Sequence, residues 1–355
     1  MSLTQVKTSN IDDTGSGLNF RNRIINGDMR IDQRNAGASV TSHATLPVDR
    51  FRMLTTAGGA ITGQQVTDAP TGFSNSIKVT VTTAATPSGG VTGILQHIEG
   101  YNSADLGMGT SGAKTFTLSF WVKSSISGNF GISFKNASNN RFYLTTYTIN
   151  TANTWEYKTI TAPGDTSGTW GNGNTTGLRF DFDLGSQASS RGSTINSWHT
   201  STYVQGPTSG TDLLSTLNAT WQITGVQLEE GNAATAFERR PYGTELALCQ
   251  RYCQVYGSGN GYERLGMAMG ITSTSVNVNI HLPVTMRATP SVSSTGSWGW
   301  YNGSAVVAGT TFTLDALSTQ VVALILATTG VTSGSTYQVI NVNDQSARLT
   351  LNSEL

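Results

Sequence analysis

Short runs of β-branched and aromatic residues, each closed by Gly, Ser, Asn or Pro, recur along this chain and leave little room for anything but a β fold. Between residues 48 and 160 they cover 49–54, 76–82, 94–99, 115–123, 130–134, 141–149 and 155–160. Residues 178–184 then alternate strictly, with Leu178, Phe180, Phe182 and Leu184 on one face and Arg179, Asp181 and Asp183 on the other. Strands this short, at this spacing, predict an antiparallel jelly-roll β-sandwich. The composition agrees, with 40 glycines and 12% charged residues, against roughly 25% charged in ordinary soluble chains. Gly supplies positive φ, and Asn, Ser and Thr close turns with their own side chains.

One stretch breaks the β pattern. Ile223, Val226 and Leu228 belong to a strand that stops at Glu229, Glu230 and Gly231. From Glu245 to Tyr256 the positions Leu246, Cys249, Tyr252, Cys253 and Tyr256 recur at spacings of three and four, which predicts a helix with one apolar face. The chain therefore divides into a polar tail (1–18), a jelly-roll domain (19–242), a linking α-helix and linker (243–261) and a smaller C-terminal β-sandwich (262–355). The fold class is all-β. Strands of the last domain are predicted at 265–271, 275–282, 291–294, 311–314, 320–326 and 338–342, and the first strand of the jelly roll in the arginine-rich segment 19–34. Residues 185–213 show no periodicity and read as an exposed loop.

Several function classes find no support. Net charge is zero, so electrostatics favours neither a nucleic acid nor an anionic membrane. No run of about 18 apolar residues predicts membrane insertion, and the first residues lack the apolar core of a signal peptide, which predicts synthesis in a cytosol without export by that route. Cys249 and Cys253, four apart on a helix, suit a disulfide poorly and read as small buried apolar residues. His43, His97, His199 and His281 are too scattered to complete a zinc site with them. Neither a nucleophile elbow nor a phosphate-binding loop occurs.

Three stretches carry a resemblance. Residues 223–241 with Glu245-Leu-Ala-Leu-Cys-Gln-Arg-Tyr252, the segment Arg23-Ile-Ile-Asn-Gly-Asp-Met-Arg-Ile-Asp-Gln-Arg34, and Pro283-Val-Thr-Met-Arg-Ala-Thr-Pro290 are similar to parts of bacteriophage virion structural proteins of the tail-fibre or receptor-binding type. The resemblance implies a jelly roll akin to carbohydrate-binding modules, a β-rich C-terminal domain, a homotrimer, and a place on the virion after synthesis in the host cytoplasm. It further implies attachment to other virion proteins, assigned here to residues 1–18, and contact with a host cell-surface glycan. A head-decorating or fibre-base protein without receptor binding is the structural alternative.

Candidate sites follow from residue types. Trp170, Trp198, His199 and Tyr203 sit among Gly, Asn and Ser, and such flat rings hold sugars; burial at a subunit contact is the competing reading. Asn26, Asp28 and Glu229 form a candidate calcium site joining the first strand to the last, as in the modules the domain resembles, although Arg30 stands where those often carry an acid. Calcium is the one cofactor considered. Asp181 and Asp183, roughly 7 Å apart on one strand face, would serve a polysaccharide depolymerase, or simply face water. No catalytic residue is assigned otherwise. The apolar helix face of Cys249, Tyr252, Cys253 and Tyr256 is predicted to meet its copies around a trimer axis.

Overall fold

The computed structural model describes residues 20–200, 204–257 and 259–355. The tail at 1–18 lies outside the described residues. The chain forms two compact units, which meet in sequence between Pro241 and Tyr242.

The first unit is built on two antiparallel sheets. One holds β1 (Arg52–Thr55), β4 (Val91–Glu99), β9 (Thr176–Ser186), β6 (Gly128–Lys135), β7 (Arg141–Ile149) and β11 (Trp198–Thr200), in that order. The other holds β2 (Ala60–Val66), β3 (Ser76–Thr83), β13 (Thr220–Glu230), β5 (Phe116–Ser124) and β8 (Glu156–Ala162). Within them the order β3-β13-β5-β8 faces β4-β9-β6-β7. Naming those strands B to I in chain order gives BIDG opposite CHEF, the connectivity of a jelly roll.

Alternation explains the core between the sheets. Phe116, Leu118, Phe120 and Val122 of β5 meet Leu178, Phe180, Phe182 and Leu184 of β9, all without solvent exposure. Phe120 and Phe182 pack edge to face at 5.0 Å, and Trp221 donates its indole N–H across the sandwich to the Tyr147 hydroxyl at 3.0 Å. A buried aromatic contributes about 1.5–3 kcal/mol by burial, and the Trp221 bond removes the cost of an unpaired buried donor.

Two expectations for this unit fail. Within the predicted strand 19–34, residues 20–34 do not form one: Asn26 (φ 61) and Met29 (φ 59) turn left-handed, and the segment is tied instead by Arg23 N–H to the Leu228 carbonyl and Val226 N–H to the Gly27 carbonyl. Residues 185–213 are also not a plain exposed loop. Val204 is 5% and Gln205 0% exposed, and the short parallel pair β10 (Arg191–Gly192) and β12 (Gly206–Pro207) forms there.

The second unit starts with α1 (Tyr242–Gln250). The helix is shorter than its periodicity predicts, because β14 (Cys253–Tyr256) pairs with β23 (Arg348–Asn352), which also pairs with β17 (Ser291–Thr295). Backbone pairing has overridden the apolar spacing, and the predicted linker is part of the C-terminal fold. A second sheet runs β19 (Val306–Ala308), β18 (Trp298–Tyr301), β22 (Thr336–Asn341), β15 (Arg264–Thr272), β16 (Ser275–His281), β21 (Val321–Ala327) and β20 (Phe312–Leu317). Val276, Val278, Leu324 and Val339 of this sheet share a core with Leu349 and Leu351 of the smaller one, closing a β-sandwich.

Candidate functional site

The paired carboxylates of β9 do not face water. Asp181 and Asp183 are both fully buried, because the segment carrying Gln205 and Gly206 lies over this face of the sheet. Asp181 accepts from Arg179 Nε at 2.7 Å and pairs with the equally buried Lys135, whose ammonium also donates to Gln205 Oε1 at 2.9 Å. Asp183 accepts from the Ser186 hydroxyl at 2.6 Å, from Gly185 N–H at 3.1 Å and from Arg191 at 3.0 Å. Burial works to raise the Asp181 carboxyl, but Arg179 and Lys135 outweigh it and hold the group below its ordinary value. At Asp183 burial wins and the carboxyl is raised. Burial likewise brings Lys135 down to about 8 against the pull of Asp181. These are the charges of an internal lattice, with no approach for a glycosidic bond between them.

The sugar-binding candidates divide. Trp170 and Trp198 do come together, edge to face at 5.4 Å, but both pack on the core, and their indole N–H groups are used by the Ser167 and Pro163 carbonyls. His199, the next residue of edge strand β11, points to the opposite sheet face and tilts against Phe142. Tyr203 lies outside the described residues. Trp170 and Trp198 thus close an edge of the sandwich, each with its polar atom already committed.

Asn26, Asp28 and Glu229 have separate partners. Asn26 donates to the Ile31 and Asp49 carbonyls at 2.8 and 2.9 Å and accepts from Ile31 N–H. Glu229 accepts from Gln227, Thr235 N–H and the Thr235 hydroxyl. Asp28 pairs with Arg30 Nε at 2.5 Å. Among the described residues no group of three or more His, Cys, Asp or Glu gathers in a way that could hold a metal ion. The donor set does not fit calcium. The cation at this seam is instead the guanidinium of Arg240, which donates to the Asn22 and Ile24 carbonyls and is itself 6% exposed.

The predicted trimer face is not free either. Cys249, Tyr252 and Cys253 are fully buried in a single copy of the chain, and only Tyr256 is half-buried. Tyr252 lies beyond the helix end, and Cys253 and Tyr256 are strand residues. Neither cysteine is in a disulfide.

A surface not anticipated from the sequence lies on the outer side of the five-stranded sheet. Phe120 and Val122 point into the core, so Trp121 between them points out. Its register partner Tyr157 is 43% exposed, and the two rings lie 5.4 Å apart. Beyond them β13 bulges between Thr224 and Gln227, and Gly225 takes φ +62. A Cβ there would stand 2.7 Å from the Phe73 ring and 3.1 Å from Trp121, so only glycine lets the two rings close over the backbone. Phe73 continues to Phe237, edge to face at 5.2 Å, with the Arg239 guanidinium over it at 4.7 Å. At the other end Asp68 accepts from Lys123, from Gln222 at 3.2 Å and from Trp155 at 3.3 Å, and the Lys123 bond above all holds its carboxyl below the ordinary value. The result is a partly exposed aromatic stripe with hydrogen-bonding groups at both ends. Its one legible signal was a tryptophan on the non-core face of a strand.

No protein-family model matches the chain, and no curated protein matches it. Among solved structures it is similar to the enzymatically active domain of tailspike protein 4 from bacteriophage CBA120 (13% identity, 59% of this chain and 21% of that one, TM-score 0.32). A putative sugar binding protein from Bacteroides thetaiotaomicron overlaps at 13% identity, over 59% of this chain and all of that one, with a TM-score of 0.34. The family 11 carbohydrate-binding module from Clostridium thermocellum, in complex with a β-1,3-1,4-mixed-linked tetrasaccharide, overlaps at 13% identity over 57% of this chain and 100% of its own, with a TM-score of 0.29. The chain spans about a fifth of the tailspike structure. Overlaps at these TM-scores carry no functional argument, and the jelly-roll assignment rests on the strand order.

Proposed function

We propose that this chain is a structural protein of a phage virion, of the fibre type, that adheres to host surface glycans through the outer face of its jelly roll and works as a homotrimer. The observation that carries the adhesive part is the stripe of Trp121, Tyr157, Phe73 and Phe237, rings partly exposed to solvent beside amide and carboxylate groups. Flat apolar rings flanked by hydrogen-bonding groups suit the alternating C–H and O–H faces of a sugar. The virion and trimer parts rest on the resemblance of the three sequence stretches. Weak single contacts would be multiplied by copies on one particle. Asp181 and Asp183, committed to internal ion pairs, support adhesion without hydrolysis. The test is competition: soluble protein at saturation should block adsorption of the phage, and the Trp121→Ala/Tyr157→Ala variant, still folded, should not. Unimpeded adsorption at saturating wild-type protein would sink the adhesive reading.

One observation favours a second reading, a purely structural head or fibre-base role. Met267, Met269 and Ile271 are 61%, 56% and 39% exposed on one side of β15, an inner strand of its sheet. An apolar stripe of that kind suits burial in an assembly. Protein that enters virions normally but fails to compete for adsorption would favour it.

A further inference from the structure

The stripe ends in a cleft of about 410 Å³ lined by Asp28, Arg30, Gly72, Phe73, Ser74, Arg239 and Arg240. That volume lies within the range of small-ligand sites, roughly 300–1,000 Å³. Its charges do not cancel. Arg30 is paired with Asp28, and Arg240 with Glu238 at 3.3 Å, which leaves Arg239. Arg239 is exposed, its guanidinium lies over Phe73 at 4.7 Å and over Phe237 at 5.8 Å, and no ion pair engages it among the described residues. The two ring contacts hold the guanidinium in place without using its N–H groups, which can take a carboxylate through two parallel hydrogen bonds. Gly72 makes room for it, since a Cβ there would stand 3.3 Å from Arg239 Nη2.

A second observation points to a ligand. Asp28 is 4% exposed, and its Oδ1 has no hydrogen-bond partner among the described residues although Oδ2 is held by Arg30. A buried carboxylate oxygen without a donor is costly, and a hydroxyl arriving in the cleft would supply one. Arg30, 26% exposed against 5% for the Asp28 side chain, is the group that has to give way.

We infer that this cleft binds an acidic sugar of the hexuronate class, with its carboxylate on Arg239 and a neighbouring hydroxyl donating to Asp28. The inference deepens the glycan-adhesion reading and rests on it: Trp121 and Tyr157 hold the neutral part of the polymer, while the cleft selects the acid. The ligand is bound, and no covalent step is involved.

The probes are a galacturonate trimer and the same trimer with its carboxylates methyl-esterified, titrated calorimetrically into the full chain. The acid should bind about tenfold or more tightly than the ester, and added salt should narrow the gap. Arg239→Met, which keeps apolar contact with the rings, should abolish the preference, and Arg239→Lys should restore part of it. Asp28→Asn should weaken acid and ester alike. Equal binding of acid and ester, or an Arg239→Met variant with its preference intact, would overturn the inference. A neutral oligomer that binds as tightly as the acid trimer would overturn it too, while leaving adhesion standing. If neither trimer binds, the hexuronate assignment falls, and adsorption competition separately decides the adhesive reading.

Discussion

Asp181→Asn is the substitution the structure makes most specific. Asp181 is fully buried between Arg179 and Lys135, and Lys135 is itself without exposure. Removing the carboxylate orphans two cations, and breaking a buried pair from one side costs about 3–5 kcal/mol. The loss also has a pH signature. Lys135 already lies at about 8, and without Asp181 its folded value drops further, so the pH range in which the folded amine is neutral extends below 8. The unfolded chain keeps that proton up to roughly pH 10.4. A depressed folded value means stability that is lost as pH falls, so between pH 8 and 6 the variant should lose up to about 1.4 kcal/mol per unit. In the wild type this amine is protonated in both states over most of that window and contributes little slope. The deficit should therefore be larger at pH 6 than at pH 8. Lys135→Met leaves Asp181 with Arg179 and should cost less, without that slope. Urea unfolding of the full chain, read by hydrogen exchange in β6 and β9 peptides, measures both. A deficit under about 1 kcal/mol, or one equal at the two pH values, would refute the reasoning.

Gly225→Ala should destabilise the first unit by about 1–3 kcal/mol, from the positive φ and the 2.7 Å approach to Phe73; a variant as stable as wild type would show that the bulge relaxes freely. EDTA should leave the melting temperature of the first unit unchanged, since Arg240 and local side chains already satisfy the seam where calcium was expected. A drop of several degrees would contradict that. Cys249 and Cys253 should resist iodoacetamide in the native protein and react in urea, because both are buried and neither is in a disulfide; rapid native labelling would show that this face opens. Tyr256→Ala should leave the oligomeric state as it is, checked by light scattering, because its neighbours on the predicted trimer face are internal.

Alternation made the strands readable. The alternate apolar residues Phe116, Leu118, Phe120 and Val122 of β5 and Leu178, Phe180, Phe182 and Leu184 of β9 face the core as their spacing requires, and turn residues bound nearly every strand. What local pattern does not contain is the content of a strand's other face. In β9 the polar positions are as buried as the apolar ones, because Gln205 and Gly206, some twenty residues downstream, fold over them. In β5 the same logic leaves Trp121 outside, where it gains meaning only from Tyr157 on a paired strand and Phe73 from a distant turn. Likewise the three-and-four spacing of Cys249, Tyr252 and Cys253 describes a helix face, but pairing of Cys253–Tyr256 with the last strand ends the helix early. The sequence by itself determined that the chain is a succession of short antiparallel strands in two regions, with one helix between them. Only the tertiary structure decided which polar residues are internal and which aromatic residues are open to a ligand. The reason is physical: periodicity records which side of a strand meets the common core, whereas what covers the opposite side depends on segments brought from far along the chain.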